Sequence, residues 1–291
     1  MRSRTRKRLN EWLISLPSLA WLTVFFVVPT AMVFAIAFRP ADPFGGIGEG
    51  WTLATLGDLA SPSLPRIVLR TLWISVLCTL FCLALALPTA YCMARAARRW
   101  RQILMVLVIV PFWTNFLTRI FAWKVVLLPN GGVKQILVLL HLSAPGTPLM
   151  YNPAAVVLVT VYTYLPFAIL PIYAAAEKFD FSLIEAARDL GAGRMEAFTR
   201  VFLPGVRRAL LTATLVVFIP ALGSYIIPQI VGGAGNELLG NRIAQRTLVD
   251  RNLPQASALS ALLATAVLLP MGIALTVQLR RRAAGPGGLG A

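Results

Sequence analysis

Long apolar runs alternate with short polar ones along the chain. Six runs are long enough to consider as membrane crossings: Trp12 to Phe38, Thr71 to Ala94, Ile103 to Ile120, Pro153 to Ala176, Leu210 to Val231 and Ala258 to Leu279. A bilayer core about 30 Å thick takes about 20 residues of helix. The pattern therefore predicts an all-α integral membrane protein with about six spans. A further apolar stretch, Val125 to Leu142, is broken by Pro129-Asn130-Gly131-Gly132. Neither half can cross, so Val133 to Leu142 is expected as a short external helix along the membrane surface. His141 falls there without a neighbouring ligand or base and reads as an ordinary surface residue.

The first run begins with Arg2, Arg4, Arg6, Lys7 and Arg8 and contains Ala35-Ile36-Ala37, as a secretion signal would. A signal's apolar region covers only about 7–15 residues. This run is far longer and is read as an uncleaved span. Prolines lie inside several of the runs, among them Pro17, Pro29, Pro88, Pro166, Pro171, Pro220 and Pro270, where neighbouring helices can re-satisfy the backbone.

Charge sets the orientation. Basic residues cluster in the N-terminal segment, at Arg95, Arg98, Arg99 and Arg101, from Lys178 to Arg208, and at Arg280 to Arg282. With six spans all four clusters fall on one side, which is the cytoplasm. Five or seven spans would put the last cluster outside.

Composition agrees with this picture. The 291 residues are 58% hydrophobic and 13% charged, more apolar than a soluble core of this size requires. The net charge of +16 could suit a nucleic-acid binder, but the arginines sit at the ends of apolar runs rather than on one polar face, which excludes that class. Cys78, Cys82 and Cys92 have no histidine or further cysteine to complete a metal site and read as small buried residues.

One charged stretch stands out between two apolar runs, Glu185-Ala-Ala-Arg-Asp-Leu-Gly191 through Val201-Phe-Leu-Pro204. Ser182-Leu-Ile-Glu185 has the spacing of a capping box. It predicts a helix over Leu183 to Leu190, stopped by Gly191 in a left-handed cap. A second helix is expected over Arg194 to Phe202, with Leu203-Pro204 leading into the fifth span. Helices this short are unstable alone in water, so the pair must pack against something. Ala186 and Ala187 leave room for a partner backbone, and Glu185, Arg188 and Asp189 put charge on the outer side.

The stretch resembles the EAA motif of binding-protein-dependent ABC importer permeases: Glu185-Ala186-Ala187, then Gly191, then Val201-Phe202-Leu203-Pro204, with Val201 in place of the usual isoleucine. Further residues are similar to the spermidine/putrescine permease subfamily. These are Trp12 and Leu16-Pro17, Pro111 to Phe116 with Arg119 and Trp123, Pro129 to Gly132, and Asp189 to Ala192. The resemblance implies a type I importer permease fold with both termini cytoplasmic. It also implies a basic N-terminal segment over 1–11, a permease domain over 12–282 with its coupling loop at 182–205, and a tail over 283–291.

The resemblance further implies that Glu185, Ala186, Ala187, Gly191, Leu203 and Pro204 couple to a cytoplasmic ABC ATPase dimer. That ATPase would bind ATP and Mg, because this chain has no G-x-x-x-x-G-K-[ST] stretch and no cofactor site of its own. The other implied partners are a solute-binding protein, a second permease subunit and the bilayer of the bacterial inner membrane. The glycine-rich stretches Gly45 to Gly48 and Gly232 to Gly235 read as loops.

A polyamine path would use carboxylates or aromatic faces. The runs have no Asp or Glu inside, which leaves Trp113, Asn115, Tyr162, Tyr164 and Tyr225 as candidates. Arg119 would repel a cation. It and the missing acids fit an alternative cargo of the same family: an opine, sulfate or a ferric complex. An ion-gradient-driven carrier would bury ionisable groups at mid-membrane, and a membrane enzyme would gather His, Asp, Glu or Ser at one site. The runs show neither arrangement.

Overall fold

A computed structural model describes residues 15–283, except 58, 60, 142, 143, 145 and 234. The basic segment 1–11, the start of the first run at Trp12, and residues 284–291 lie outside that range. Among the described residues the long elements are all helical, and β structure is limited to one isolated bridge between Ala41 and Ile47. In chain order the first helices are α1 (Ser15–Ile36), α2 (Leu64–Arg95), α3 (Arg98–Ile109), α4 (Phe116–Val126) and α5 (Gly132–Leu139). They are followed by α6 (Pro153–Glu177), α7 (Ser182–Asp189), α8 (Arg194–Gly205), α9 (Arg207–Leu222), α10 (Leu239–Leu248) and α11 (Leu253–Ala283). Among the described residues four helices are long and apolar enough to cross a membrane, and up to six crossings result if each of two bent pairs counts as one.

The bent pairs correct two expected spans. Ile103 to Ile120 is not one helix. The chain tightens into a 3₁₀ turn over Val110–Trp113, becomes extended at Thr114 and restarts in α4 at an angle of 93°. Pro111 lacks an N–H for the helix ladder, and the Asn115 side chain accepts from the Leu117 N–H at 2.8 Å to start the new helix. The fifth run departs in two ways. Pro204 belongs to α8, and α9 begins only after a 73° bend at Val206. At its other end α9 stops at Leu222, and a separate wide turn covers Pro228–Gly232. The helix α5 is also shorter than the expected external helix. It ends at Leu139, before His141 in left-handed conformation (φ 56°), and Leu142 lies outside the described residues.

Two wide π-type turns, at Thr23–Val27 and Phe198–Phe202, each come just before a proline, Pro29 and Pro204. A proline removes one ladder donor and crowds the carbonyl four residues earlier. A local widening accommodates that without exposing the backbone to lipid.

The chain divides into two units. In residues 15–64 and 242–283, α1 packs along α11, with Ala37, Ala258 and Ala261 buried beside Phe34 and Leu56. Most of α1 is exposed and apolar, as a lipid-facing helix should be. In residues 65–241, α6 is the central element, with α9 along one side. Helix α2 buries Cys78, Cys82, Ala86 and Ala90, all at 0% exposure. They are spaced four residues apart, so they form one stripe. The Cys82 thiol points to the Val161 carbonyl of α6 at 3.7 Å. Small residues let helices approach closely in lipid, where no hydrophobic drive holds them together. The buried reading thus holds for Cys78 and Cys82, but Cys92 is exposed.

Ala86→Leu is expected to overpack this seam and destabilise the protein by about 1–3 kcal/mol. Leu80→Ala, on the exposed side of the same helix, should be close to neutral. Thermal unfolding in detergent separates the two, and equal midpoints would remove the seam's role.

Candidate functional site

The EAA stretch folds as two helices joined by a glycine turn. The capping box does not form, because Ser182 is already inside α7. The cap comes from Asp180, whose carboxylate accepts from the Ser182 N–H at 3.0 Å. An aspartate placed two residues ahead of a free N–H makes this local turn readily. Hydrogen bonds from the Ser182 side chain and then its backbone hold the Asp180 carboxyl below the usual aspartate value.

The stop is as expected. Gly191 adopts φ 91°, where a Cβ would be strained. The Gly191 N–H donates to Arg188 O at 2.9 Å and the Ala192 N–H to Ala187 O at 3.0 Å. Together these form the two-bond Schellman closure.

The loop rests on a bed of aromatic rings. Phe202 of α8 is fully buried. Its ring lies 4.9 Å from Tyr91 of α2, 5.3 Å from Phe179 and 5.4 Å from Phe198. Ile184 of α7 and Ala197 of α8 are buried in the same cluster, with Ala94 and Ala176 from the ends of α2 and α6. Gly205 is what lets α8 approach: a Cβ there would fall 2.5 Å from the Phe179 ring. An ion pair ties the same ends together. Arg101 donates to Glu177 at 3.0 Å and to the Ala94 carbonyl at 2.9 Å. Sequence reading did not single out Tyr91, Phe179, Phe181, Gly205 or this ion pair. The visible signal was the aromatic recurrence at Phe179, Phe181, Phe198 and Phe202 around the motif.

The outer face is open. Glu185, Ala186 and Gly191 are exposed, and Ala187 is half-buried. Leu190 is 90% exposed and Met195 73%, which is unusual for large apolar side chains beside the aqueous phase. A hollow of about 420 Å³ between the helices is lined by Ala187, Gly191, Ala192, Ala197 and Val201, with the Glu196–Arg200 pair (2.6 Å) at its edge. Leu203 is half-buried and Pro204 exposed in the last turn of α8, apart from the lining of this hollow.

The path candidates do not gather at one point. Trp113 is 82% exposed, and Asn115 is spent on capping α4. Tyr162 meets Trp123 edge-on at 5.2 Å, whereas Tyr164 faces Phe167 at 6.4 Å and its hydroxyl approaches the Pro220 carbonyl at 3.5 Å. The Tyr225 carbonyl accepts from the Asn241 side chain at 2.8 Å. Arg119 places its guanidinium 4.9 Å from the Phe112 ring, which packs on Phe167, and its Nε is buried without a hydrogen-bond partner. No group of three or more His, Cys, Asp or Glu capable of holding a metal occurs among the described residues.

Residues 83–283, which include the whole loop, match the family described as binding-protein-dependent transport system inner membrane component. The chain belongs to this family. This membrane component is 34% identical over 260 residues to the spermidine/putrescine transport system permease protein PotB of Escherichia coli, covering 89% of this chain and 93% of that one. It is 35% identical over 241 residues to PotB of Haemophilus influenzae, covering 83% and 84%. It is 29% identical to the inner membrane ABC transporter permease protein YdcU of Escherichia coli over 284 residues, covering 93% and 90%. In fold, it superposes on a chain of a bacterial ABC transporter that imports the acidic polysaccharide alginate with a TM-score of 0.70 at 17% identity, covering 96% and 98%. The expected family and fold are borne out.

Two predictions test the loop's construction. Gly205→Ala should cost about 1–3 kcal/mol by driving a methyl into the Phe179 ring. A thermal midpoint equal to the parent's would mean the ring yields freely. The second concerns pH. Because the folded state favours the Asp180 carboxylate, its stabilisation is present above the unfolded-state value and is lost as pH falls through the lowered folded value. Amide protection of α7, corrected for intrinsic exchange rates, should therefore fall on acidification in the parent. In Asp180→Ala it should be lower already and flat over that window.

Proposed function

We propose that this chain is the permease subunit of an ATP-driven importer of polyamines such as spermidine or putrescine, and that the loop from Ser182 to Gly205 docks on a cytoplasmic ATPase dimer. The observation that carries the coupling role is the loop itself. Two short helices closed by the left-handed Gly191 present Leu190, Met195 and a small-residue hollow outward from a fixed aromatic bed. An ATPase that binds this face differently in its ATP-bound and free states would bias two arrangements of the permease. Glu185 lies next to that face and makes no ion pair within the described residues. ATP and Mg belong to the ATPase in this reading.

The cargo assignment rests on the two PotB relatives. The spans contain no interior carboxylate, so a polycation needs acids from elsewhere. A second, different permease subunit supplies them in this proposal, and a solute-binding protein delivers the cargo. Arg119 against Phe112 favours the second reading, an anionic cargo such as an opine or sulfate.

Uptake of labelled spermidine and putrescine in the native host, with and without the gene, decides between these. Deletion should abolish amine uptake, and the parent gene should restore it. Glu185→Lys should restore less than about a tenth, which corresponds to a lost coupling free energy of about 1.4 kcal/mol or more. Amine uptake that persists in the deletion strain, with loss of an anion's uptake, would overturn the cargo. Full restoration by Glu185→Lys would overturn its coupling role.

A further inference from the structure

A second hollow, of about 570 Å³, opens on the cytoplasmic side where α2 ends beside the α7–α8 loop. Three arginines form its rim: Arg95 in the last turn of α2, Arg188 in α7 and Arg194 at the start of α8. Its floor is apolar and aromatic, from Tyr91, Ile184 and Phe198. The lining contains no carboxylate, and among the described residues none of the three arginines is in an ion pair. Arg101, Arg200 and Arg246, by contrast, each have an acidic partner. Arg95 is held in place. Its guanidinium lies 5.7 Å from the Tyr91 ring and 5.8 Å from the Phe181 ring, and it donates to the Tyr91 hydroxyl at 3.0 Å.

Three like charges around one hollow repel one another unless an anion joins them. Arginine's planar fork suits phosphate in particular. The hollow is also deep. Pro88 lines it two helical turns up α2 from Arg95, about 10 Å toward the membrane interior. A soluble anion would use the rim alone, whereas an amphiphile would use the rim and the apolar wall together.

We propose that this hollow binds an anionic phospholipid of the cytoplasmic leaflet. Its phosphate sits among Arg95, Arg188 and Arg194, and its glycerol and upper acyl chain lie against Tyr91, Phe198 and Pro88. Since Arg95 belongs to a span and the other two arginines flank the Gly191 turn, the bound headgroup braces the coupling loop against α2.

The test uses the full chain, purified and delipidated in detergent, with dioleoylphosphatidylglycerol added and the first bound lipid measured by native mass spectrometry. The triple variant Arg95→Gln, Arg188→Gln, Arg194→Gln should weaken that binding on the order of a hundredfold. A charge-matched control, Arg98→Gln, Arg99→Gln, Arg207→Gln, removes exposed cytoplasmic arginines outside the hollow. It should change binding by less than about threefold. Equal losses in both triples would overturn the site in favour of diffuse attraction to a basic protein. Displacement of the lipid by glycerol phosphate at equal concentration would overturn the lipid in favour of a free phosphate. Unchanged lipid binding by the first triple, with lost copurification of the ATPase, would assign the rim to that protein instead. A photoactivatable phosphatidylglycerol on the unsubstituted chain gives an independent reading. Crosslinks to Tyr91, Phe198 or residues 188–195 support the site, and crosslinks confined to other segments refute it.

Discussion

The ring of Phe202 has no exposed surface, and it joins three pieces of chain that share no hydrogen-bond ladder: α2, the turn after α6, and α8 itself. Tyr91 reaches it from α2, Phe179 and Phe181 from the turn after α6, and Phe198 from one turn earlier in α8. Edge-on and stacked ring pairs contribute roughly 0.5–1.5 kcal/mol each beyond the area they bury. That matters because α7 has only eight residues and cannot hold itself together in water. The loop is therefore fixed by its bed more than by its own backbone, and that bed ties it to the ends of α2 and α6. The Arg101–Glu177 pair adds little energy, since exposed pairs contribute about 0–1 kcal/mol. It does lock the same two span ends in register.

The bends follow from a different constraint. In lipid, a helix can stop only where something else satisfies its backbone. The chain meets that requirement with side chains and prolines. Asn115 supplies the acceptor that restarts a helix after Thr114. The Thr114 hydroxyl donates to the Pro111 carbonyl at 2.7 Å. At Phe198–Phe202 and Thr23–Val27 a widened turn takes up the carbonyl that the following proline displaces.

What was legible in the sequence tracks how local each cause is. The helical character of the runs and the Gly191 stop depend on a few neighbouring residues or on summed hydropathy, and those readings hold. The start of α7 was misread because Ser182 and Asp180 are both good acceptors two residues apart, and spacing alone does not say which one the turn uses. The 93° break was invisible because Val110 to Trp113 is as apolar as the helices beside it. The aromatic bed was half visible. Four phenylalanines recur near the motif, but Tyr91 lies about ninety residues earlier, and only tertiary packing brings it to Phe202. Gly205 was missed for the same reason: its need comes from Phe179, not from its own turn.

The electrostatics limit what this chain can do alone. Moving an unpaired charge from water into a low-dielectric interior costs tens of kcal/mol in the idealised limit. A well-placed aromatic face returns about 2 kcal/mol. Tyr162 and Tyr164 belong to different ring pairs, and Trp113 is largely exposed, so these rings do not form a cage that could compensate a polycation. Arg119 adds a charge of the wrong sign. A cationic cargo could therefore cross beside this chain only through water or beside carboxylates from another subunit. Either route takes selectivity away from these spans. What they supply is a shaped, largely uncharged wall, and in the proposed reading the loop from Ser182 to Gly205 is the handle that moves it.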